Sequence, residues 1–503
     1  MTKSRTMPSM MSSTRKKVLA AVVAALTLPW LAGCETNPAT GESMFSLMSR
    51  EQEQQIGAQE SPKAVQEFGG LYKDPELTRY IDSIGQLLAK TTETPDQKFT
   101  FVVIDTDIVN AFALPGGYVH VTRGLLALAN DEAEAAGVIA HEIGHVVARH
   151  AAQRTSQAAI TSGLGSLLGG LLLGEAGAQL GQYGASAYIA HYSRDQEFEA
   201  DSLGVRYLSR AGYNPQAMAD FLSSLQAQSV LEAQIAGVKD DSTDIMASHP
   251  RTPDRVQAAI KAASAGTPVK NPMEDRDIYL RKIDGIIYGD SPNNGFVRGN
   301  RFAHPGLGFG FEAPANFKLI NQPDQVVVKG AQGGAILFSQ AQANLAPSDY
   351  LNRISVSGAK FGNVQPLKVN GMDAAMGTLR GNTQSGPVEL RLVAVRFSPN
   401  ALYQFVSLAP AQIAGPMADA LQHTVSSFHK LSAQEAASLR PLRIQVVTVR
   451  AGDTVQSLAA RSAFPDNKLQ RFLVLNGLQQ NATLRPGQLI KLVVEGNPVK
   501  QSS

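Results

Sequence analysis

The stretch His141-Glu142-Ile143-Gly144-His145 decides how the rest of this 503-residue sequence is interpreted. On an α-helix, side chains four residues apart lie on the same face, so both imidazoles can reach one metal ion. Glu142 is offset along the same turn, where its carboxylate can hold a water molecule beside that ion. The pattern is typical of a zinc hydrolase, and a chance match in a long chain is the alternative.

The surroundings of this stretch favour a metal site over a chance match. It lies in an apolar, alanine-rich run from Asp131 to Ala152, which predicts one amphipathic helix with Asn130 as its N-cap. Charged and polar side chains are seldom buried without partners. A His-Glu-x-x-His pattern among apolar neighbours therefore indicates a function.

A catalytic zinc ion needs a third protein ligand and one position left for water. The nearest candidate is His150, but five residues past His145 correspond to about 140° around a continuous helix. His150 is therefore predicted to face away from the metal and not to bind it.

An acidic pattern downstream supplies a better candidate. Glu197 and Asp201 lie four residues apart in a second predicted helix, so they share a face. Glu197 can then bind the metal while Asp201 accepts a hydrogen bond from the far nitrogen of a ligand imidazole. Glu199 points off that face and is the weaker candidate.

Together these motifs resemble the M48 family of zinc metallopeptidases over roughly residues 45–265. The resemblance implies a mainly α-helical, zincin-type (gluzincin-like) peptidase domain with a small edge-stranded sheet. The matching segments are Asn110 to Val121, Gly124-Leu125-Leu126, His141 to His145, Ser193 to Asp201, and Ser248-His249-Pro250 with Arg255.

The resemblance implies a catalytic role for several residues. Glu142 would be the general base and later the proton donor, and Asp201 would support a metal ligand. The zinc ion, one per chain, would be bound by His141, His145 and Glu197.

Substrate binding is implied for a strand in the same region. The segment Gly117 to Val121 resembles the family's substrate-binding edge strand, so Gly117, Tyr118 and Val119 are the expected contacts. Main-chain pairing with an extended peptide favours unfolded or misassembled protein substrates.

His249 and Arg255 match a downstream pair that lies near the metal in the family. A histidine there could stabilise the oxyanion and assist catalysis. It could instead occupy the fourth zinc position and make the resting enzyme latent. The sequence leaves both possibilities open.

The N-terminal residues predict export and lipidation. Basic residues precede an apolar segment, Val18 to Leu31, which leads into Leu31-Ala32-Gly33-Cys34. Residues 1–33 are therefore interpreted as a secretory signal with a bacterial lipobox, and Cys34, the only cysteine, as the lipidated first residue. A glutamate directly after the lipidated cysteine, here Glu35, resembles the pattern of lipoproteins that are sent to the outer membrane and face the periplasm. A retained membrane anchor is disfavoured because the apolar segment is too short to span a bilayer.

Composition and charge exclude one class of partner. The whole chain has 45 basic and 43 acidic residues, and loss of residues 1–33 leaves a net charge of about −3. This balance gives no basis for nucleic-acid binding.

Shifts in composition predict a multidomain chain. The turn-rich cluster Ser291 to Gly295 places a boundary after the peptidase domain. The uncharged stretch Thr155 to Gly174 predicts two closely packed helices, or else a hairpin that faces a membrane or substrate. The expected units are a tether (34–50), the peptidase domain (51–270), a linker (271–301), an α+β domain of unknown role (302–431) and a C-terminal module (441–495).

The C-terminal module resembles LysM, a strand-helix-helix-strand unit that binds N-acetylglucosamine polymers such as peptidoglycan. The resemblance rests on the turns Gly452-Asp453-Thr454 and Pro486-Gly487-Gln488. Val455 and Gln456 replace the family's more usual leucine and aromatic residue. Glycan binding and a purely structural role are therefore both open.

Two functions follow from these patterns. The first is a zinc metalloendopeptidase of the bacterial cell envelope, anchored to the outer membrane by the lipid on Cys34, that cleaves misfolded or unassembled proteins. The second is an assembly or chaperone-like binding factor with a latent peptidase site, docked on peptidoglycan. The presence of every catalytic residue type favours the first.

Overall fold

The computed structural model describes residues 34–157, 192–236, 253–266, 268–330, 333–341, 343–356, 358–383 and 386–496. Two main hydrophobic cores organise this part of the chain. The first core contains buried residues from 39 to 286 and again from 444 to 493. The second contains buried residues from 302 to 428. The second region is therefore inserted into the first, and the chain afterwards returns to the first core.

Residues 34–50 do not form the polar tether that the sequence predicts. Strands β1 (Cys34–Thr36) and β2 (Ser43–Phe45) pair antiparallel as a hairpin. Asn37 is 5% exposed, and the backbone N–H of Leu47 donates to Oγ of Ser156 at 2.8 Å. The hairpin packs on the peptidase region because its polar side chains find partners there.

The first core is built mainly from helices with capped N-termini. Ser49 caps the first helix in a capping box with Gln52, and Asp74 caps the second, which begins at Pro75. The helices of this region are α1 (Arg50–Glu67), α2 (Pro75–Ala89), α3 (Arg123–Leu128), α4 (Glu132–Val147), α5 (Arg194–Ala211), α6 (Ala217–Ala236), α7 (Pro253–Ala265) and α8 (Arg276–Ile283).

A three-stranded sheet lies beside these helices. Strand β5 (Tyr118–Thr122) lies between β3 (Thr100–Ile104), to which it is parallel, and β4 (Ala111–Leu114), to which it is antiparallel. The prediction that residues 117–121 form an edge strand is therefore wrong, because β5 is paired on both sides. Within the described residues β4 pairs only with β5, so β4 is an edge strand.

The predicted linker, residues 271–301, is divided between the two cores. In α8, Tyr279, Leu280 and Ile283 are fully buried in the first core. Beyond strand β6 (Ile287–Tyr288), Ser291 donates a hydrogen bond to Asp105 at 3.1 Å. Residues 271–301 therefore connect the two cores and pack against them, and they do not form a free linker.

The second region contains both β-strands and helices. Its elements are β7 (Phe296–Arg298), β8 (Arg301–His304), β9 (Phe309–Glu312), β10 (Phe317–Asn321), β11 (Gln325–Gly330), β12 (Ala335–Ala341), α9 (Pro347–Arg353), β13 (Ser355–Val356), β14 (Ala359–Lys360), β15 (Gly362–Val369), β16 (Met372–Thr383), β17 (Gly386–Ser398), β18 (Ala401–Pro410), α10 (Ala414–Ser427), β19 (His429–Lys430) and α11 (Ala433–Ser438). A seven-stranded antiparallel sheet runs in the order β10-β11-β12-β18-β17-β16-β15, and a four-stranded sheet in the order β19-β9-β8-β7.

The C-terminal module has the predicted strand-helix-helix-strand order. Its elements are β20 (Leu442–Thr448), α12 (Val455–Arg461), α13 (Lys468–Leu475) and β21 (Leu489–Glu495), and β6 extends its sheet beside β20.

The module is joined to the peptidase region by a buried lysine. The ammonium group of Lys491 donates to the carbonyl oxygens of Ala127, Leu128 and Ala129 at 2.9, 3.0 and 2.8 Å. These carbonyls lie at the C-terminal end of α3, where the last C=O groups of a helix have no partner within the helix, and Lys491 supplies donors for them. The module and the peptidase region therefore share one core.

Candidate metal centre

Helix α4 carries both histidines of the central motif. Its N-cap is Asp131, not the predicted Asn130, and the Asp131 carboxylate accepts a hydrogen bond from the backbone N–H of Glu134. The helix ends at Val147 instead of continuing to Ala152, because Arg149 adopts a left-handed backbone with φ of 58°. A new helical segment starts at His150.

Three buried side chains converge between α4 and α5. The Nε2 atoms of His141 and His145 lie 3.0 Å apart. The Glu197 carboxylate lies 3.7 Å from Nε2 of His141 and 3.5 Å from Nε2 of His145. All three side chains are almost completely buried, at 4%, 1% and 1% exposure in the order His141, His145, Glu197.

The spacing of these three donors fits one small metal ion. Two ligands that each lie about 2.0–2.1 Å from a tetrahedral zinc are about 3.4 Å from each other. The observed separations of 3.0, 3.5 and 3.7 Å bracket that value. Burial also holds the pKa of His145 well below its usual range, which favours the neutral imidazole that a metal ligand must present.

Asp201 and Arg255 support the ligands from the next layer. Oδ1 of Asp201 accepts a hydrogen bond from Nδ1 of His141 at 2.9 Å. The Arg255 guanidinium donates two hydrogen bonds of 2.7 Å to Asp201 and lies 2.7 Å from Glu197. Burial alone would raise the pKa of Asp201, but the hydrogen bonds from Arg255 and His141 lower it, so this carboxylate stays charged.

Glu142 and Tyr192 complete the environment of the donors. Glu142 is fully buried and follows His141 on α4. The Tyr192 ring stacks on His145 with centroids 3.8 Å apart and an interplanar angle of 17°. A carboxylate next to the metal donors can act as a general base, and a stacked ring fixes the plane of the imidazole.

His150 makes contacts that its position in the sequence does not predict. Because the chain turns at Arg149, Nδ1 of His150 comes within 2.8 Å of Nδ1 of His145. Nε2 of His150 lies 3.2 Å from Oε2 of Glu199. His150 is not part of the group of converging metal donors, but it contacts one of them. A left-handed arginine has no signal in the sequence, so helical periodicity could not predict this contact.

Strand β4 replaces β5 as the strand next to the metal donors. Ala113 and Leu114 line the same small cavity as His145 and Tyr192. The predicted contacts Gly117, Tyr118 and Val119 lie at the start of the central strand and the turn before it.

The backbone of β4 offers hydrogen-bonding groups on its outer side. The backbone N–H of Thr122 donates to the carbonyl oxygen of Asn110 at 3.0 Å, and hydrogen-bonded pairs alternate in an antiparallel ladder. By this alternation, Phe112 and Leu114 bond to β5. The N–H and C=O groups of Ala111 and Ala113 therefore point away from β5, toward the edge.

Some predicted features lie outside the described residues. These are His249, the signal segment 1–33 and nearly all of the stretch from Thr155 to Gly174. Cys34 is placed only by its backbone, which begins β1.

The class of the protein follows from two sequence families. Residues 75–263 match Peptidase family M48, and residues 447–493 match the LysM domain. The chain therefore contains a domain of Peptidase family M48 and a LysM domain, and both resemblances drawn from the sequence motifs are confirmed.

Individual relatives cover only part of the chain. It is 31% identical over 297 residues to the "Beta-barrel assembly-enhancing protease" of Escherichia coli (strain K12), across 56% of this chain and 58% of the relative. It is 30% identical over 195 residues to the "Mitochondrial metalloendopeptidase OMA1" of Arabidopsis thaliana, across 39% and 36%. The solution structure of cyanobacterial PsbP from Synechocystis aligns with 27% of this chain and 95% of that one, at 11% identity and a TM-score of 0.22.

Proposed function

We propose that the chain is a zinc-dependent endopeptidase of the bacterial cell envelope that hydrolyses misfolded or unassembled envelope proteins. The observation that carries this proposal is the convergence of His141, His145 and Glu197, with Glu142 in the same helical turn. The name of the Escherichia coli relative, a protease that enhances β-barrel assembly, supports the envelope as its place of action.

The donor set determines the chemistry. His141, His145 and Glu197 would hold zinc, which suits two imidazoles and a carboxylate with one open position. Bound there, zinc lowers the pKa of water toward neutrality and polarises a peptide carbonyl.

The polar residues around the three metal donors would act in proton transfer or hold the donors in place. Glu142 accepts a proton from the attacking water and returns it to the leaving amine. Arg255 holds the carboxylates of Glu197 and Asp201, and Asp201 fixes the ring of His141.

The outer edge of β4 is the proposed substrate-binding element. An extended peptide would pair with the N–H and C=O groups of Ala111 and Ala113 and so pass beside His145. A folded protein has few unpaired extended segments. This edge therefore favours unfolded or misassembled chains.

Two features support an envelope location. The lipobox ending at Cys34 would attach the chain to the outer membrane, facing the periplasm. The LysM domain would add contact with peptidoglycan. Separately, no helix in the described part of the chain is long and apolar enough to cross a bilayer.

Proteolysis of an unfolded protein tests the proposed function. The mature chain with Cys34→Ser should cleave reduced, unfolded protein and contain one zinc ion per chain. Glu142→Gln should abolish cleavage while zinc stays bound, and Glu51→Gln on the exposed face of α1 should cleave normally. Equal cleavage by the Glu142→Gln chain would disprove the role of Glu142, and no cleavage by any chain would disprove the peptidase function.

A further inference from the structure

His145 is connected to the N-terminal hairpin by a continuous series of polar contacts. Nδ1 of His145 lies 2.8 Å from Nδ1 of His150, and Nε2 of His150 lies 3.2 Å from Oε2 of Glu199. Oε1 of Glu199 accepts a hydrogen bond from Nδ2 of Asn37 at 2.7 Å. His150 is 0% exposed, whereas the Glu199 side chain is 28% exposed, so the series runs from the buried metal donors toward the surface.

The direction of each hydrogen bond follows once Nε2 of His145 binds a metal ion. The neutral His145 ring then carries its proton on Nδ1 and donates it to Nδ1 of His150. His150 must carry its own proton on Nε2, where it donates to the Glu199 carboxylate. Oδ1 of Asn37 accepts from the backbone N–H of Ala39 at 2.9 Å, which turns Nδ2 toward Glu199. Every donor therefore meets an acceptor.

The local backbone is arranged to make these contacts. Arg149 is almost fully buried with φ of 58°, a conformation that is costly for a residue other than glycine. Its guanidinium pairs with Glu53 at 3.0 Å and with Glu35, so the ion pairs hold the turn in place. A straight helix would put His150 on another face.

We propose that His150 and Glu199 are positioning residues that fix the ring of His145 for metal binding, and that Asn37 of the N-terminal hairpin orients Glu199. They do for His145 what Asp201 does for His141. A ligand imidazole in metalloproteins generally donates its second N–H to a carboxylate, carbonyl or water, and loss of that partner costs 10–100-fold in metal affinity or activity. Here the carboxylate acts through a second histidine. This inference rests on the metal site of the proposed function.

Zinc affinity tests this arrangement without a need for catalysis. Chelator competition is measured on chains that carry Glu142→Gln, and His150→Ala should raise the Kd for zinc about 10–100-fold. Glu199→Ala should raise it about tenfold, and Glu199→Gln, which keeps an acceptor oxygen for His150, should raise it less. The matched control is His120→Gln, a fully buried histidine bonded to Ser61 away from the donors, which should leave the Kd unchanged.

Two further measurements separate positioning from a general loss of structure. Thermal unfolding of the metal-free chains shows whether His150→Ala still folds, and Glu199→Gln provides the milder variant if it does not. With Glu142 intact, saturating zinc should restore most of the kcat of the Glu199 variants, because Glu199 acts only on metal binding in this proposal.

The possible outcomes distinguish this inference from the proposed function. If folded His150→Ala and Glu199→Ala chains bind zinc as tightly as the parent, the positioning role is wrong although the peptidase can stand. If the affinities fall as expected but the intact chain cuts no protein, the proposed function fails and the positioning role stands. A parent chain that binds no zinc overturns both.

Discussion

Burial lowers the pKa of both His145 and His120, and the partner of each ring decides its role. His145 lies among metal donors, whereas His120 lies in the middle of β5, stacks on Phe112 with centroids 4.6 Å apart and places Nε2 2.9 Å from Oγ of Ser61. Burial lowers the pKa of His120 from 6.5 to about 4. A neutral ring is part of the packed sheet, so its protonation works against folding.

A pH-dependent stability difference should therefore separate the parent chain from His120→Gln. Between pH 6.5 and 4 the unfolded chain binds more protons at this residue than the folded chain, so its contribution to stability falls as the pH falls. Acidification from pH 7 to 4.5 should cost the parent about 2 kcal/mol more than the variant. Guanidinium unfolding of metal-free protein at both pH values measures the difference, and equal losses would show that His120 is readily protonated in the folded state.

For single residues, the separation of two positions in the sequence predicts a contact only when both lie on regular helices. Glu197 and Asp201 are four residues apart on α5, and the structure places both against the histidines of α4. His150 follows a left-handed residue whose conformation depends on ion pairs with Glu35 and Glu53, about a hundred residues earlier. Such a long-range cause leaves no mark in helical periodicity.

Among the elements, the edge strand β4 has the most direct connection to function. A proline at position 113 removes an outward N–H group while the hydrogen bonds to β5 stay, and edge strands accept proline. Loss of one main-chain hydrogen bond to the substrate should lower kcat/KM for an unfolded protein up to about tenfold.

The matched control is Ala113→Val, which changes the side chain but keeps the N–H group. Kinetics with a quenched unfolded substrate should show a clear loss for Ala113→Pro relative to Ala113→Val. Equal kcat/KM values for the two variants would place substrate binding elsewhere.

The incorrect prediction that β5 is an edge strand shows that a sequence can predict a strand without predicting its partners in the sheet. The family resemblance predicts a strand at residues 117–121, and a strand is present at Tyr118–Thr122. The strands on either side of β5 are set by the path of the chain before it. A turn at Gly116 and Gly117, with φ of 81° and 98°, brings β4 to one side, and β3 pairs in parallel on the other side. Neither neighbour can be read from the strand's own residues.

For the whole molecule, the first core depends on the return of the chain to the peptidase region. Lys491→Met keeps the length of the side chain but leaves the carbonyl oxygens at the end of α3 without their donor. The variant should lose about 3 kcal/mol of stability in the first core. Lys468→Met at an exposed site in the same module is the control, and chemical unfolding followed by near-ultraviolet circular dichroism measures both. Equal stability of the two variants would show that the module is not held by Lys491.

The sequence predicts the order of the modules but not their mutual packing. Composition separates residues 271–301 from the peptidase domain, yet α8 fills the first core with Tyr279, Leu280 and Ile283. Apolar faces show that an element is buried without showing against which partner. That choice depends on shape and on single contacts such as the one made by Lys491.

Restoration of activity by metal tests the central claim most directly. The mature chain is stripped with a chelator, and cleavage of an unfolded protein is followed as Zn²⁺ is added back. We predict that stripped protein is inactive and that activity returns and saturates at one zinc per chain. Cleavage by the metal-free chain, or zinc binding at one equivalent with no cleavage at any concentration, would contradict the assignment of His141, His145 and Glu197 as the ligands of a catalytic zinc ion.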